Sequence, residues 1–147
     1  MVKGSTTKKE GQTMLKEYAT YYYNEDHCNC AEAVLLAANK AYNLGLSEDA
    51  CKLVGGYGGG VGCGSTCGAL LGAVAAYGVM KMGRRARESY GFNKQCGDLA
   101  RAFREKLGDV NCSELQVLHA NKSQRCLKTV LAACDALESQ LAAVEQE

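Results

Sequence analysis

The pattern Asn-Cys-x-Glu occurs twice, as Asn29-Cys30-Ala31-Glu32 and Asn111-Cys112-Ser113-Glu114, and each copy reads as the opening of a helix. Asparagine is a strong N-cap because its side-chain oxygen accepts from the free backbone N–H groups of the first turn, and a glutamate three residues later can reach back as in a capping box. Cys30 and Cys112 are therefore expected in a first helical turn. Two more cysteines look similarly placed: Cys67 follows the cap candidates Ser65 and Thr66, and Cys126 follows Ser123 by three residues. A helix N-terminus carries partial positive charge and unpaired donors, which favour a thiolate, the form of cysteine that attacks disulfides and ligates metals. Four such positions in one chain point to sulfur chemistry.

The remaining cysteines sort differently. Cys51, Cys96 and Cys134 fall inside apolar helical stripes, where a free cysteine behaves as a small buried hydrophobe. Cys28 and Cys63 are intermediate, since Cys28-x-Cys30 and Cys63-x-x-x-Cys67 each put a second thiol near a first-turn thiol, as a backup ligand or a resolving partner would be. There is no C-x-x-C, no C-x-x-C-H and no bacterial ferredoxin spacing, which removes a thioredoxin motif, covalent haem attachment and the commonest local cluster signature. His27 and His119 read as surface or helix-end histidines rather than ligands.

Eight glycines fall between Gly55 and Gly68. The segment lacks the phosphate-binding Gly-x-x-x-x-Gly-Lys-Ser/Thr pattern, and no expected strand precedes it, so neither a P-loop nor a dinucleotide fingerprint is supported. Glycine-rich backbone can instead approach a bulky anionic group closely and aim N–H groups at it, which makes Gly58, Gly59, Gly60, Gly62 and Gly68 candidates to cradle a cluster or a thiolate pair.

The elements that must gather these thiols are helical. The chain has 147 residues, no proline and abundant alanine, and its apolar residues recur at helical spacing. This predicts an all-α single-domain bundle of about five to seven helices, residues 11–147, with a glycine-rich loop before the central helix and a polar, loose N-terminus over residues 1–10. Helices are expected from about Gly11 to Tyr23, with Met14, Leu15, Tyr18, Tyr21 and Tyr22 inward, from Cys30 to near Asn43, and from a Ser47 cap to about Val54. Further helices are expected from Cys67 to Met82, from Asn93 to Leu107, briefly from Cys112, and from Gln124 to Glu145. A chain of this length buries a core without disulfide staples, and nine cysteines, an odd number, do not form a fully paired framework. No N-terminal apolar stretch serves as a secretory signal, which places the protein in the cytoplasm, where clustered thiols bind metal or do redox work. The longest apolar run, Cys67 to Met80, is 14 residues and too short for a span, which needs about 20. A formal net charge of +1 with interleaved signs suggests no nucleic-acid partner, and the basic cluster Lys81, Arg84, Arg85 and Arg87 reads as a solvated helix end.

Cys67-Gly68-Ala69-Leu70-Leu71-Gly72 resembles the Cys-Gly-Ala-x-x-Gly motif of the C_GCAxxG_C_C family, described as redox-active proteins of about this length with four characteristic cysteines. The Asn29–Leu35 segment is similar to the first cysteine motif of that family, and Gly58–Gly62 to the glycine run before the second. Asn111–Leu115 and Arg125–Val130 are similar to the third and fourth. The resemblance covers about Asn24 to Leu137 and implies Cys30, Cys67, Cys112 and Cys126 as the working set. Split-Soret cytochromes carry a related cysteine domain, which by analogy implies an iron–sulfur centre. The chain has none of their haem motifs and carries Cys28 and Cys63 in addition to the family four.

Three functions remain open on the sequence. The first is electron transfer or redox sensing through an iron–sulfur cluster on Cys30, Cys67, Cys112 and Cys126, with Cys28 and Cys63 as added candidates. The second is a metal-free thiol–disulfide oxidoreductase, and the third a structural four-cysteine zinc site that organises the bundle for partner binding. The small-residue face Gly68, Gly72, Ala76 further suggests a close helix approach, either within the chain or across a homodimer.

Overall fold

The computed structural model describes residues 8–145, with side chains from Met14 onward, and among these described residues seven α-helices follow from the capping and spacing signals of the chain. Helix α1 spans Lys8–Glu25, α2 Cys30–Ala41, α3 Glu48–Cys51, α4 Gly68–Lys81, α5 Phe92–Leu107, α6 Cys112–His119 and α7 Leu127–Glu145. Among the described residues there is no strand, only the isolated bridges Thr66 with Asn111 and Asn121 with Arg125. The fold is all-α. Helix α1 begins three residues before its expected start, and the loose N-terminus expected over residues 1–10 lies, for residues 1–7, outside the described residues.

Local chemistry sets the boundaries. Asn29 forms the full capping box of α2, accepting from the Glu32 N–H at 3.0 Å while the Glu32 carboxylate accepts from the Asn29 N–H at 3.0 Å. Ser47 caps α3 as expected, accepting from Ala50 N–H at 3.1 Å. The second Asn-Cys-x-Glu copy behaves differently: Asn111 occupies the N-cap position of α6, but its side chain makes no capping bond. The turn there is built by Asp109, whose Oδ1 accepts from the N–H groups of Val110 and Asn111 at 2.7 and 2.9 Å. Helix α7 starts at Leu127 rather than near Gln124, because Asn121 and Arg125 exchange two backbone hydrogen bonds in the preceding turn.

Helix α7 packs against α1, α2, α4, α5 and α6, so it forms the axis of the bundle. Val130, Cys134 and Leu137 on α7 are fully buried, together with Leu15 of α1, Val34 of α2, Tyr77 of α4 and Leu99 and Phe103 of α5. The expected inward face of α1 is turned by one position, leaving Tyr21 54% exposed while Tyr23 is buried. Cys51 and Cys134 are buried and Cys96 half-buried, all as packing residues.

The small residues of α4 are used inside the chain. A Cβ on Gly72 would sit 2.6 Å from the Ala31 carbonyl oxygen, and one on Gly68 would sit 2.7 Å from Cys30 Sγ and 2.7 Å from the Tyr57 oxygen. Helices α2 and α4 therefore approach at backbone contact. This contact takes up the face that had suggested a homodimer, and the dimer expectation keeps no support from it. The basic cluster Lys81, Arg84, Arg85 and Arg87 is exposed at and beyond the end of α4, with Arg84 paired to Glu88 at 2.7 Å. Among the described residues no helix is long and apolar enough to cross a membrane.

The glycine-rich segment precedes α4, but it is ordered into two compact turns rather than an open loop. Lys52–Tyr57 continues α3 as a 3-10 turn, and Gly60–Gly64 forms a second turn. Gly59, Gly60, Val61 and Gly62 all have φ between 61 and 70°, giving a short left-handed stretch. Such a run is open to glycine, whereas Val61 adopts it at a steric cost of about 1–2 kcal/mol.

Candidate functional site

Four helix starts converge on one cavity of about 210 Å³, lined by Cys30, Cys67, Cys112 and Cys126 together with Tyr23, Asn29, Gly59, Leu115, Gln116, Arg125 and Thr129. Cys30 and Cys112 are the first residues of α2 and α6, while Cys67 and Cys126 stand one position before α4 and α7. At Cys126 the carbonyl accepts from the N–H groups of Thr129 and Val130, both at 3.0 Å, so the residue closes the first turn from outside.

Several devices hold these cysteines in place. Cys30 is fixed by the capping box beside it, and Asn29 further donates from Nδ2 to the Gly55 oxygen at 2.9 Å, tying the start of α2 to the glycine segment. Cys67 and Cys112 are joined by a short antiparallel pairing: the Cys67 N–H donates to Val110 O at 2.7 Å and the Cys112 N–H to Ser65 O at 2.6 Å. Gln116 reaches back one turn to place Nε2 at 3.4 Å from Cys112 Sγ. Cys126 is held from α1, its N–H donating to Tyr23 Oη at 3.1 Å. Arg125, at φ 53°, lays its guanidinium over the Tyr23 ring at 4.3 Å and donates to the Tyr23 carbonyl at 3.0 Å.

The two additional cysteines do not reach the cavity. Cys63 is exposed on the glycine turn, its thiol donating to Gly60 O at 3.5 Å. Cys28 is buried two residues before α2, where desolvation first, then Glu32, Asp26 and Cys51, push its thiol up to about 11. His27 and His119 lie outside the cavity as well, and His119 Nε2 sits 2.7 Å from Leu107 O. Among the glycines, Gly59 lines the cavity, and the Cβ positions of Gly60 and Gly68 fall 2.7 Å from Cys112 Cβ and Cys30 Sγ. Gly58 packs on the Asn29 side chain, and Gly62 faces open space.

The electrostatics reverse one expectation drawn from the helix starts. Burial raises the thiols of Cys30, Cys67 and Cys112, that of Cys67 to about 12, and this outweighs the opposing N–H groups of Gly59 and Ala31 at Cys30 and of Leu70 and Ala69 at Cys67. The helix N-termini favour the thiolate but do not win against desolvation. Neighbouring sulfurs add to the rise at three of them: Cys30 senses Cys126 and Cys112, Cys67 senses Cys30 and Cys112, and Cys112 senses Cys126. A second negative charge is thus disfavoured unless a cationic group enters with it.

Among the described residues no three Cys, His, Asp or Glu side chains converge closely enough to hold a single metal ion. The thiols stand around a space rather than about a point. The sequence reading found all four cysteines and Gly59 but not Tyr23, Gln116, Arg125 or Thr129. Helical spacing places Tyr18, Tyr21 and Tyr22 inward, and it is the next tyrosine, Tyr23, that lines the site. Arg125 had one signal, its place directly before Cys126.

A family model described as "Putative redox-active protein (C_GCAxxG_C_C)" matches residues 28–140, a span that contains all four cavity cysteines. No curated protein and no solved structure matches this chain.

Proposed function

The chain belongs to the C_GCAxxG_C_C family of redox-active proteins, and from that premise we propose that Cys30, Cys67, Cys112 and Cys126 bind an iron–sulfur cluster for electron transfer or redox sensing. The observation that carries this reading is the convergence of four thiols on one cavity of about 210 Å³. The donor set fits the group: thiolates are the soft ligands that iron–sulfur centres take, and a set of sulfurs spaced around a void suits a multi-atom group better than a single tetrahedral zinc. When bound, a cluster supplies reversible electron storage at a potential set by charge, hydrogen bonds to sulfur and exposure.

The protein's own residues supply the rest. Gly59, and Gly68 across from Cys30, leave clearance that a side chain would fill. Gln116 offers an N–H to the Cys112 sulfur, and Leu115 keeps the floor apolar. The raised thiols argue against a free nucleophilic dithiol, because a buried neutral thiol is a poor attacker whereas metal binding deprotonates it outright.

Anaerobic purification followed by a visible spectrum and assays of iron, zinc and acid-labile sulfide tests the proposal. Broad visible absorption with iron and sulfide is the expected result. Zinc without colour would favour a structural metal site, and absence of metal with a reversible disulfide would favour the oxidoreductase reading.

A further inference from the structure

Arg125 is held in a conformation that side chains other than glycine rarely adopt, at φ 53°. Its backbone N–H donates to Asn121 O at 2.7 Å and its carbonyl accepts from Asn121 N–H at 3.2 Å, which closes the turn beneath it. Its guanidinium lies over the Tyr23 ring at 4.3 Å and donates to the Tyr23 carbonyl at 3.0 Å. The next residue, Cys126, donates its N–H to the hydroxyl of the same tyrosine at 3.1 Å. One tyrosine therefore fixes both a cation and a cavity cysteine.

Among the described residues that line the four-cysteine cavity, Arg125 is the one that carries a charge. Its guanidinium has no carboxylate partner there, in contrast to Lys16, Arg84, Lys94 and Arg101, each of which is paired with an acid. An arginine stacked on an aromatic face keeps its full charge and most of its five donors for other use.

We infer that Arg125 is the cation that stabilises negative charge in the four-cysteine cavity, and that Tyr23 is the platform that positions it. The inference deepens the cluster reading and rests on it for one of its two measurements. Loss of the charge would disfavour both an anion entering the cavity and the extra electron of a reduced centre.

The first measurement uses the full chain, metal-free and reduced, as wild type, Arg125→Gln and Arg125→Lys. Each protein is alkylated in parallel with iodoacetate, an anion, and iodoacetamide, its neutral analogue, and labelling is quantified at every cysteine by mass spectrometry. The ratio of the two rates cancels differences in thiol ionisation and access. At the half-buried Cys126 and Cys30 the ratio should fall about threefold in Arg125→Gln, the effect of one unit charge about 6 Å away at the dielectric of bulk water. Arg125→Lys should retain most of it, and exposed Cys63 should not change. An unchanged ratio at Cys126 in Arg125→Gln overturns the inference. Should that variant lose helical content, the wild-type ratio is followed from low to high salt. A larger fall at Cys126 than at Cys63 supports the inference, and equal falls overturn it.

The second measurement is the midpoint potential of cluster-loaded protein, which should drop in Arg125→Gln and stay near wild type in Arg125→Lys. An unshifted potential in Arg125→Gln also overturns the inference. Failure of the wild type to assemble any cluster removes the cluster reading alone, and the alkylation ratios then decide the role of Arg125.

Discussion

At the scale of single residues, nine cysteines of one chemical type divide by where the backbone puts them. Serine at Cys30, Cys67, Cys112 or Cys126 keeps nearly the same size but is a far poorer soft-metal ligand. Each of these changes should abolish cluster content while retaining most of the far-ultraviolet circular dichroism, and Cys63→Ser should leave iron and sulfide per chain at the wild-type level. Cys134→Ser belongs to the opposite class. Its side chain is fully buried on the axis of α7, and a hydroxyl without a partner there should lower unfolding free energy by about 1–3 kcal/mol in urea titration. Tyr23→Phe separates positioning from packing: the ring under Arg125 remains, and the acceptor for the Cys126 N–H is lost. A loss of about 1 kcal/mol in stability is expected, with cluster binding weakened rather than abolished. An unaltered iron content across all four cavity serine variants would refute the division.

At the scale of elements, the thiols meet because helix starts are brought together by contacts that have no sequence period. The capping box at Asn29 was legible in four residues, and its twin at Asn111 was not a box at all, because Asp109 supplies the turn from outside the motif. Local pattern gave the helix number and most inward faces, since apolar spacing is imposed by the helix itself. The pairing of Ser65–Cys67 with Val110–Cys112 joins segments more than forty residues apart through backbone groups, which every residue carries alike. The glycine segment read correctly as the approach to α4, yet its left-handed course at Val61 contradicts the preference of a β-branched residue. Val61→Asn should therefore raise stability by up to about 1 kcal/mol, because asparagine tolerates this region and the 54% exposed valine gives up little burial. Gly72→Ala should do the reverse and cost about 1–3 kcal/mol, as its Cβ meets the Ala31 oxygen and pushes α4 from α2. Thermal melts of the two variants beside wild type check both signs.

At the scale of the whole molecule, α7 links the cavity at its N-terminal end to a charged cluster farther along the same helix. There Asp135 pairs with Lys16 at 2.8 Å and Lys106 at 3.4 Å, while Glu138 is buried with Oε2 unpartnered. Burial raises the Glu138 carboxyl to about 7, Asp135 adds to this and Lys16 opposes it. The folded chain thus retains a proton that the unfolded chain releases near the ordinary value of 4.5, so this group's contribution to stability is full below that pH, falls as the pH rises toward about 7, and is level above. Glu138→Gln should accordingly be more stable than wild type at pH 8, with the advantage shrinking toward pH 4.5. A pH-independent difference in urea midpoint would contradict the assignment.

The central claim is that four thiols from four helix starts hold one centre, and differential alkylation of loaded protein addresses it most directly. Iron-loaded protein is treated with a neutral alkylating reagent without oxygen, before and after removal of iron by a chelator, and each cysteine is scored by mass spectrometry. The account predicts that Cys30, Cys67, Cys112 and Cys126 are protected together in the loaded protein and released together by the chelator, while Cys63 is labelled throughout. Protection of fewer than these four, or release of Cys63 or Cys28 together with them on chelation, would contradict it.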